Sequence, residues 1–359
     1  MTTDIGKKNV RFAALDPYID TAIVAPTERE MRNNGHTLIE WGSGNGYPRY
    51  ILDLYNNVVT LHSVVDGLTD YICGNDVVMD FRDGRPNKAM TAAQLWRHLA
   101  FSRAMYKAAA VQVIRNQAGE VDSIWPIDIR YLRTDRERSV YYYSEDFGAR
   151  YVRRGKMLVY PAFMPDARHD TSILAIWESY DGVYPSPWIA AAVRACETES
   201  AIDDYHLNAI NNGFAASYFV NFNNGVPDDD VKDEIEKDFN EKFAGGKNAA
   251  RIGFSWNPNK EAATTFEQLK QEDFGDHYAA LAKNTRQQIF TAYRANPNLF
   301  GIPTESLGFS QEEYDSAFRL FNRTMVRPQQ DILRDALEQI IGAGRVVVSP
   351  FSMNTVSDE

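Results

Sequence analysis

Tyr184-Pro185-Ser186-Pro187-Trp188 and Asn211-Asn212-Gly213-Phe214 bracket the stretch that decides the fold. Between them Trp188, Ala191, Ala195, Ile202, Tyr205 and Ala209 recur at helical steps, with no glycine or proline inside. Ser186 reads as the N-cap and Pro187 as the first helical residue, where a missing N–H is no loss. Gly213 supplies the stop. The apolar stripe is weak and rich in small residues, so it cannot make a good core within one chain. A helix of this kind packs through modest surface, as in a ring of helices, and a closed homo-oligomer is expected.

Downstream, residues 215–269 read as a small α/β insert. A strand over 216–222 ends in Asn223-Asn224-Gly225, and a helix over 228–243 puts Val231, Ile235, Phe239 and Phe243 on one face. Gly245-Gly246 end it, and strands over 251–256 and 264–269 follow. A second long helix is expected over 274–295, broken by Asn296-Pro297-Asn298. The loop 301–309 leads to a helix opened by a Ser310-to-Glu313 capping box. That helix carries Phe318, Phe321, Met325, Ile332, Leu333 and Ile340, and Pro328 inside it should kink it. The tail from Gly342 holds one strand-like run, Val346-Val347-Val348.

Upstream, Ile51, Leu54, Val58, Leu61, Val65, Leu68 and Ile72 alternate steps of three and four, predicting one helix over 50–72 stopped by Gly74. Thr91 to Gln94 is another capping box, with Leu95, Trp96 and Leu99 behind it. Residues 109–177 change period. Runs at 111–114, 121–129, 140–143, 151–152, 157–160 and 173–177, separated by turn-like stretches, read as an antiparallel β section. Asn33-Asn34-Gly35 and the glycine cluster 42–46 are turn chemistry. The cluster lacks the preceding strand and the Lys-Ser/Thr of a phosphate loop. The fold class is α+β.

The chain has 359 residues and a net charge of −11, which argues against a protein that grips a phosphate backbone over its whole surface. It does not argue against one through which DNA slides. Cys73 and Cys196 are isolated, so neither a disulfide framework nor a zinc site is expected. No apolar run reaches the roughly 20 residues of a membrane span, and no secretion signal is visible. GxSxG, HExxH, a P-loop and an EF-hand loop are all absent, and the six histidines never pair at ligand spacing. His169-Asp170 reads as a surface turn for want of a nucleophile. Asp228-Asp229-Asp230 reads first as a helix start whose carboxylates complement the dipole, and only second as a metal-dependent nuclease site. Arginines gather in the β section among tyrosines. A subunit interface through Arg130, Arg133, Tyr142 and Arg153 is favoured over a single-strand platform, because nearby acids dilute the charge. No cofactor is expected.

At this point a resemblance emerges, carried by order and spacing. The 184–214 stretch resembles the "SPl…nGa" segment of HK97-type portal proteins of tailed bacteriophages. Phe266-Glu267-Gln268-Leu269, the 278–301 helix and turn, and the Phe-rich 312–328 stretch ending Thr324-Met325-Val326-Arg327-Pro328 are similar to later parts of that family, and 50–73 to its early wing helix. The turn reads Asn296-Pro297-Asn298 where the family has Val-Pro-Pro. The resemblance implies a portal-type subunit in a closed ring, usually of about twelve copies, at one capsid vertex of the virion, assembled in the host cytoplasm. Residues 1–185 would be a β-containing wing, 186–214 and 270–300 two long stem helices, and 215–269 a small clip. Residues 301–310 would be the tunnel loop and 311–341 a kinked channel helix. Residues 342–359 would be a short tail with a reduced or absent crown.

The same resemblance implies partners: the terminase large subunit, then a head–tail adaptor, both at the clip; the major capsid protein; and double-stranded DNA in the channel, with no membrane. Gly301, Pro303, Glu305, Ser306, Gly308, Phe309, Glu312 and Glu313 would face the channel. Asp228, Asp229, Asp230, Glu236 and Asp238 would meet a basic partner at the clip. The alternatives are another head–tail structural or adaptor protein, and a metal-dependent nuclease.

Overall fold

Helix and strand boundaries follow from where backbone groups find partners. The computed structural model describes residues 10–12, 26–33, 35–147, 156–167, 169–211, 218–223, 225–243, 252–258, 274–302 and 311–351. Two compact units make up the chain: Met1–Ala22 with Glu199–Ala282, and Ile23–Thr198 with Lys283–Glu359.

Strand β1 (Val10–Phe12) belongs to the smaller unit. In the larger unit, β2 (Glu28–Asn33) and β3 (His36–Trp41) form a hairpin in register from Glu28↔Trp41 to Asn33↔His36. Gly35, at φ +85°, turns it. The glycine cluster is a 3-10 turn at Ser43–Asn45 whose Asn45 side chain accepts from the Trp41 amide at 3.1 Å. Helices α1 (Tyr47–Asn57) and α2 (Val59–Cys73) stand where one helix is expected over 50–72. The break is at Val58 (φ −113°, ψ 107°), inside Asn56-Asn57-Val58-Val59-Thr60, a run of poor helix formers. The apolar stripe survives it: Ile51, Leu54, Val58, Leu61, Val65, Leu68 and Ile72 are all buried.

Strand β4 (Asp76–Met79) precedes α3 (Ala92–Tyr106), which opens with the complete reciprocal capping box of Thr91 and Gln94. The β section follows as expected in kind. Strands β5 (Ala109–Arg115), β6 (Val121–Pro126), β7 (Leu132–Thr134), β8 (Val140–Tyr143), β9 (Leu158–Pro161) and β10 (Thr171–Ile176) all pair antiparallel. They build a sheet in the order β10-β5-β6 and another in the order β2-β3-β7-β8-β9. The strand expected at 151–152 lies outside the described residues.

The deciding stretch is anchored before its helix begins. The Tyr184 hydroxyl donates to the Ile39 carbonyl at 2.7 Å and accepts from the Thr134 amide at 3.0 Å, and the ring stacks on Trp41 at 4.7 Å. Ser186 is not the N-cap. A 3-10 turn at Trp188–Ala192 starts from Pro187, without a side-chain cap, and only then does α4 (Val193–Asn211) run. Proline's extended ψ of 156° puts the cap one residue later than expected.

In the smaller unit β11 (Tyr218–Phe222), α5 (Asp229–Phe243) and β12 (Ile252–Trp256) form a β-α-β element with the two strands parallel. β1 pairs antiparallel with the other edge of β12. Residues 10–12 thus pair with the insert's strand β12, within the smaller unit. The strand expected at 264–269 lies outside the described residues.

Helix α6 (Phe274–Ala292) follows, then a 3-10 turn at Pro297–Phe300 capped by Asn296. The helix carrying Pro328 is interrupted as predicted, but by a π turn rather than a simple bend. Helix α7 (Gln311–Phe321) ends in a π turn at Asn322–Val326, and α8 (Arg327–Ile341) starts with Pro328 in its first turn. The Arg327 amide reaches back to the Asn322 carbonyl, the wide i→i+5 bond that makes room for a ring with no N–H to give. Strand β13 (Val346–Ser349) returns to pair antiparallel with β4.

Candidate functional site

Three groups of residues carry the sequence-based expectations, and the fold treats them differently. The first is the 301–313 region. Asn296 accepts from the Asn298 amide at 3.1 Å, and the Gly301 and Ile302 amides return to the Asn298 and Pro297 carbonyls at 3.3 and 3.2 Å. Gly301 sits at φ +74°, a conformation glycine adopts freely, so the turn ends sharply there. Pro303, Glu305, Ser306, Gly308 and Phe309 lie outside the described residues, as does the Ser310 cap. Glu312 and Glu313 occupy the first turn of α7 and are exposed, where their charge complements the helix dipole.

The acidic end of α5 is the second group. Asp228, Asp229 and Asp230 are exposed. The Asp228 carbonyl accepts from the Val231 and Lys232 amides at 3.1 Å each, and Asp229 holds the nearly buried Lys232 ammonium at 3.0 Å. This is the helix-start role expected of them. The side chains of Glu236, Asp238, Phe239 and Phe243 lie outside the described residues. Val231, expected on the apolar face, is 45% exposed in the single chain. Among the described residues, no group of three or more His, Cys, Asp or Glu side chains is placed to hold a metal ion. Nor is any helix among them long and apolar enough to cross a membrane.

The arginine–tyrosine group is the third. Arg133 is fully buried. Its guanidinium donates to the Asn45 side-chain oxygen at 2.6 Å, the Asn45 carbonyl at 2.9 Å, and the Leu132 and Ile129 carbonyls at 2.6 and 3.3 Å. Burial pushes it down to about 10. Tyr142 is buried beside Leu38 and Phe147, in a small cluster against the five-stranded sheet. Within the single chain both side chains are taken up by their own neighbours. Arg130 is half-buried and clamps Asp128, which holds its guanidinium above the ordinary range. Arg153 lies outside the described residues. Arg136 pairs with the exposed Glu30 at 3.2 Å.

Sequence reasoning missed several groups that hold the framework of these sites. Arg103 is buried and bonded to Gln329 on α8, and Gln330 donates to the Ile72 carbonyl at 3.0 Å. Adjacent glutamines just after a helical proline are the signal that could have found them.

A family model described as "Phage portal protein" matches residues 74–341, about three quarters of the chain. Among curated proteins, none matches this sequence. Among solved structures, the chain is similar to one in the "Virion of native gene transfer agent (GTA) particle", at 17% identity and a TM-score of 0.55, covering 86% of this chain and 85% of that one. It is similar to one in the "Neck of native GTA particle computed with C12 symmetry", at 18% identity and a TM-score of 0.53, covering 86% of each. An HK97 family phage portal protein from Corynebacterium diphtheriae aligns at 10% identity and a TM-score of 0.46, over 81% of this chain and 90% of that one. At these identities the structural likenesses in the virion and neck speak to fold, while the family match extends over most of the sequence. The chain belongs to the phage portal protein family.

Proposed function

We propose that this chain assembles into a closed ring that serves as the DNA conduit at one capsid vertex of a virion. The observation that carries the reading is the portal-family match from residue 74 to residue 341. The similarity to chains of a virion and of a neck computed with C12 symmetry supports both the ring and the location. Portal proteins are structural rather than catalytic, and hydrolysis of ATP would fall to a separate motor, the terminase large subunit. On this reading α4 and α6 are stem helices and the β11-α5-β12 element is the core of a clip. Segment 301–310 is then a tunnel loop, and α7 with α8 line the channel. The clip would meet the motor and later a head–tail adaptor, and the outer body would meet the major capsid protein.

The charge pattern supports passage without adhesion. Residues 301–309 include Glu305 and no lysine or arginine, and Glu312 and Glu313 follow on α7. A ring multiplies each of these charges by the number of subunits, and a lining of one sign repels the phosphate backbone and keeps it hydrated and central. Glu305→Lys should leave ring assembly normal and reduce packaged DNA about tenfold or more, since it replaces repulsion with a circle of phosphate contacts. Packaging and ejection at unchanged levels would remove the tunnel assignment. Images of the purified protein down a symmetry axis separate the ring from an adaptor that stays monomeric at high concentration.

A second test addresses the clip. Reversing the charge at Asp229, Glu236 and Asp238 together should preserve the ring, since Asp229 is exposed at the first turn of α5. It should lower the yield of infectious particles by at least about tenfold if a basic partner reads this face. An unchanged yield would place the partner elsewhere.

A further inference from the structure

Tyr71, on the buried face of α2, is the hub of an aromatic cluster that no part of the proposed function uses. Its hydroxyl donates to the Leu299 carbonyl at 2.7 Å. Its ring meets Phe300 at 5.9 Å between centroids, Phe318 at 5.9 Å, Phe321 at 5.6 Å and Phe351 at 5.1 Å. The contacts with Phe300, Phe321 and Phe351 are edge-to-face, at 70–76° between planes, the arrangement ring quadrupoles favour. Phe300 also meets Phe321 at 5.8 Å and Phe318 meets Phe351 at 6.0 Å, so the rings close on one another. Burial pushes the Tyr71 phenol above its ordinary value, and the neighbouring Tyr314 phenol on α7 adds to it.

Gly67, one turn earlier on α2, makes the seat. A Cβ placed there would lie 2.4 Å from Cδ1 and 2.6 Å from Cε1 of Phe300. The glycine has ordinary helical backbone, so its absent side chain serves packing and not conformation. Four parts of the chain thus meet at one ring: α2 itself, the 297–300 turn that follows α6, helix α7, and the chain just beyond β13. Phe351 is the one member outside any helix or strand, and it is only partly buried.

We infer that these residues form a clasp in which Tyr71 positions α7 on α2, and that Phe351 is its detachable member, coupling the C-terminal tail to the seating of α7. The clasp itself stands on the contacts above; its consequence for DNA rests on the reading of α7 as channel-lining. Phe351 is the place to intervene, because it is partly exposed and lies outside any helix or strand.

The experiment is backbone amide hydrogen exchange on the assembled full-length protein. Phe351→Ala should speed exchange in α7 about tenfold, while α3 and β5 keep wild-type protection. Phe351→Tyr should restore it, since an edge-to-face ring is what the site needs. Gly67→Ala should give the same local signature by unseating Phe300. Exchange in α7 that is unchanged in both Phe351→Ala and Gly67→Ala overturns the clasp, as does a Phe351→Ala effect spread evenly over the larger unit. DNA retention measured on the same particles tests the channel reading separately. Faster α7 exchange with unaltered retention keeps the clasp and removes the channel assignment of α7. Unaltered exchange alongside a Glu305→Lys stall does the reverse.

Discussion

Gly74→Ala is expected to lower the thermal midpoint of the larger unit by roughly 6–12 °C, a loss of about 3 kcal/mol. Two separate penalties add. Gly74 caps α2 at φ +67° and ψ −159°, a region populated almost only by glycine. The new Cβ would also lie 2.2 Å from the Ser349 carbonyl oxygen of β13. That oxygen accepts from the Asn75 amide at 3.0 Å, so it cannot retreat without breaking the junction of β4 and β13. Gly84→Ala is the control, since Gly84 has φ +69° but nothing within 4 Å of the added atom. It should show only the conformational part, about 1 kcal/mol. Equal melting shifts for the two variants would mean that the Ser349 contact contributes nothing.

How far the sequence alone reaches depends on where each residue finds its partner. Periodicity located α2, α3 and α5, because the groups that decide them lie within a turn or two of each other. Gly74 and the Thr91–Gln94 box act locally and were legible for the same reason. Strand β2 was not. Its Glu-Arg-Glu-Met-Arg-Asn has neither alternation nor β-branched residues, because it is an edge strand with most of its side chains in water. Strand β4 is short and stable only through β13, far along the chain, a pairing that local pattern cannot supply. The placement of β1 beside β12 is invisible for the same reason.

The candidate sites divide similarly. The helix-start role of Asp228 to Asp230 was readable, being local. The burial of Arg133 was not legible, because an arginine among tyrosines ordinarily marks a surface. Only the fold reveals that Asn45, at φ +62°, turns both its carbonyl and its side-chain oxygen toward that guanidinium. The channel residues rest on family resemblance rather than on any local rule. The aromatic clasp was out of reach entirely, since its rings come from positions as distant as 71 and 351.

Gln329→Leu is expected to cost about 3–4 kcal/mol, although both side chains have similar bulk. The reason lies in what it leaves behind. Arg103 is almost fully buried, and its guanidinium has neutral acceptors: the Lys107 and Ile176 carbonyls at 2.6 and 3.1 Å, and the Gln329 side-chain oxygen at 3.0 Å from Nε and 2.5 Å from Nη2. Burial pushes Arg103 down to about 10, still well above neutral pH, so the cation persists and must stay solvated by the protein. Leucine at 329 removes the oxygen that takes two of its bonds and leaves a buried charge with donors unmet. Arg103→Met alone should cost less, because it removes the charge along with its needs. The double variant Arg103→Met with Gln329→Leu should recover most of the loss, since two apolar side chains of matching length can pack where the pair stood. Chemical denaturation of the four proteins gives the cycle. A coupling below about 0.5 kcal/mol would show that the two side chains act independently. The consequence reaches the proposed channel through geometry. Gln329 and Gln330 follow Pro328 directly and tie α8 to α3 and to the end of α2, while the π turn at Asn322–Val326 absorbs what the proline cannot bond. Helix α8 is therefore fixed at its start, and any change in the path of α7 must be taken up in that turn.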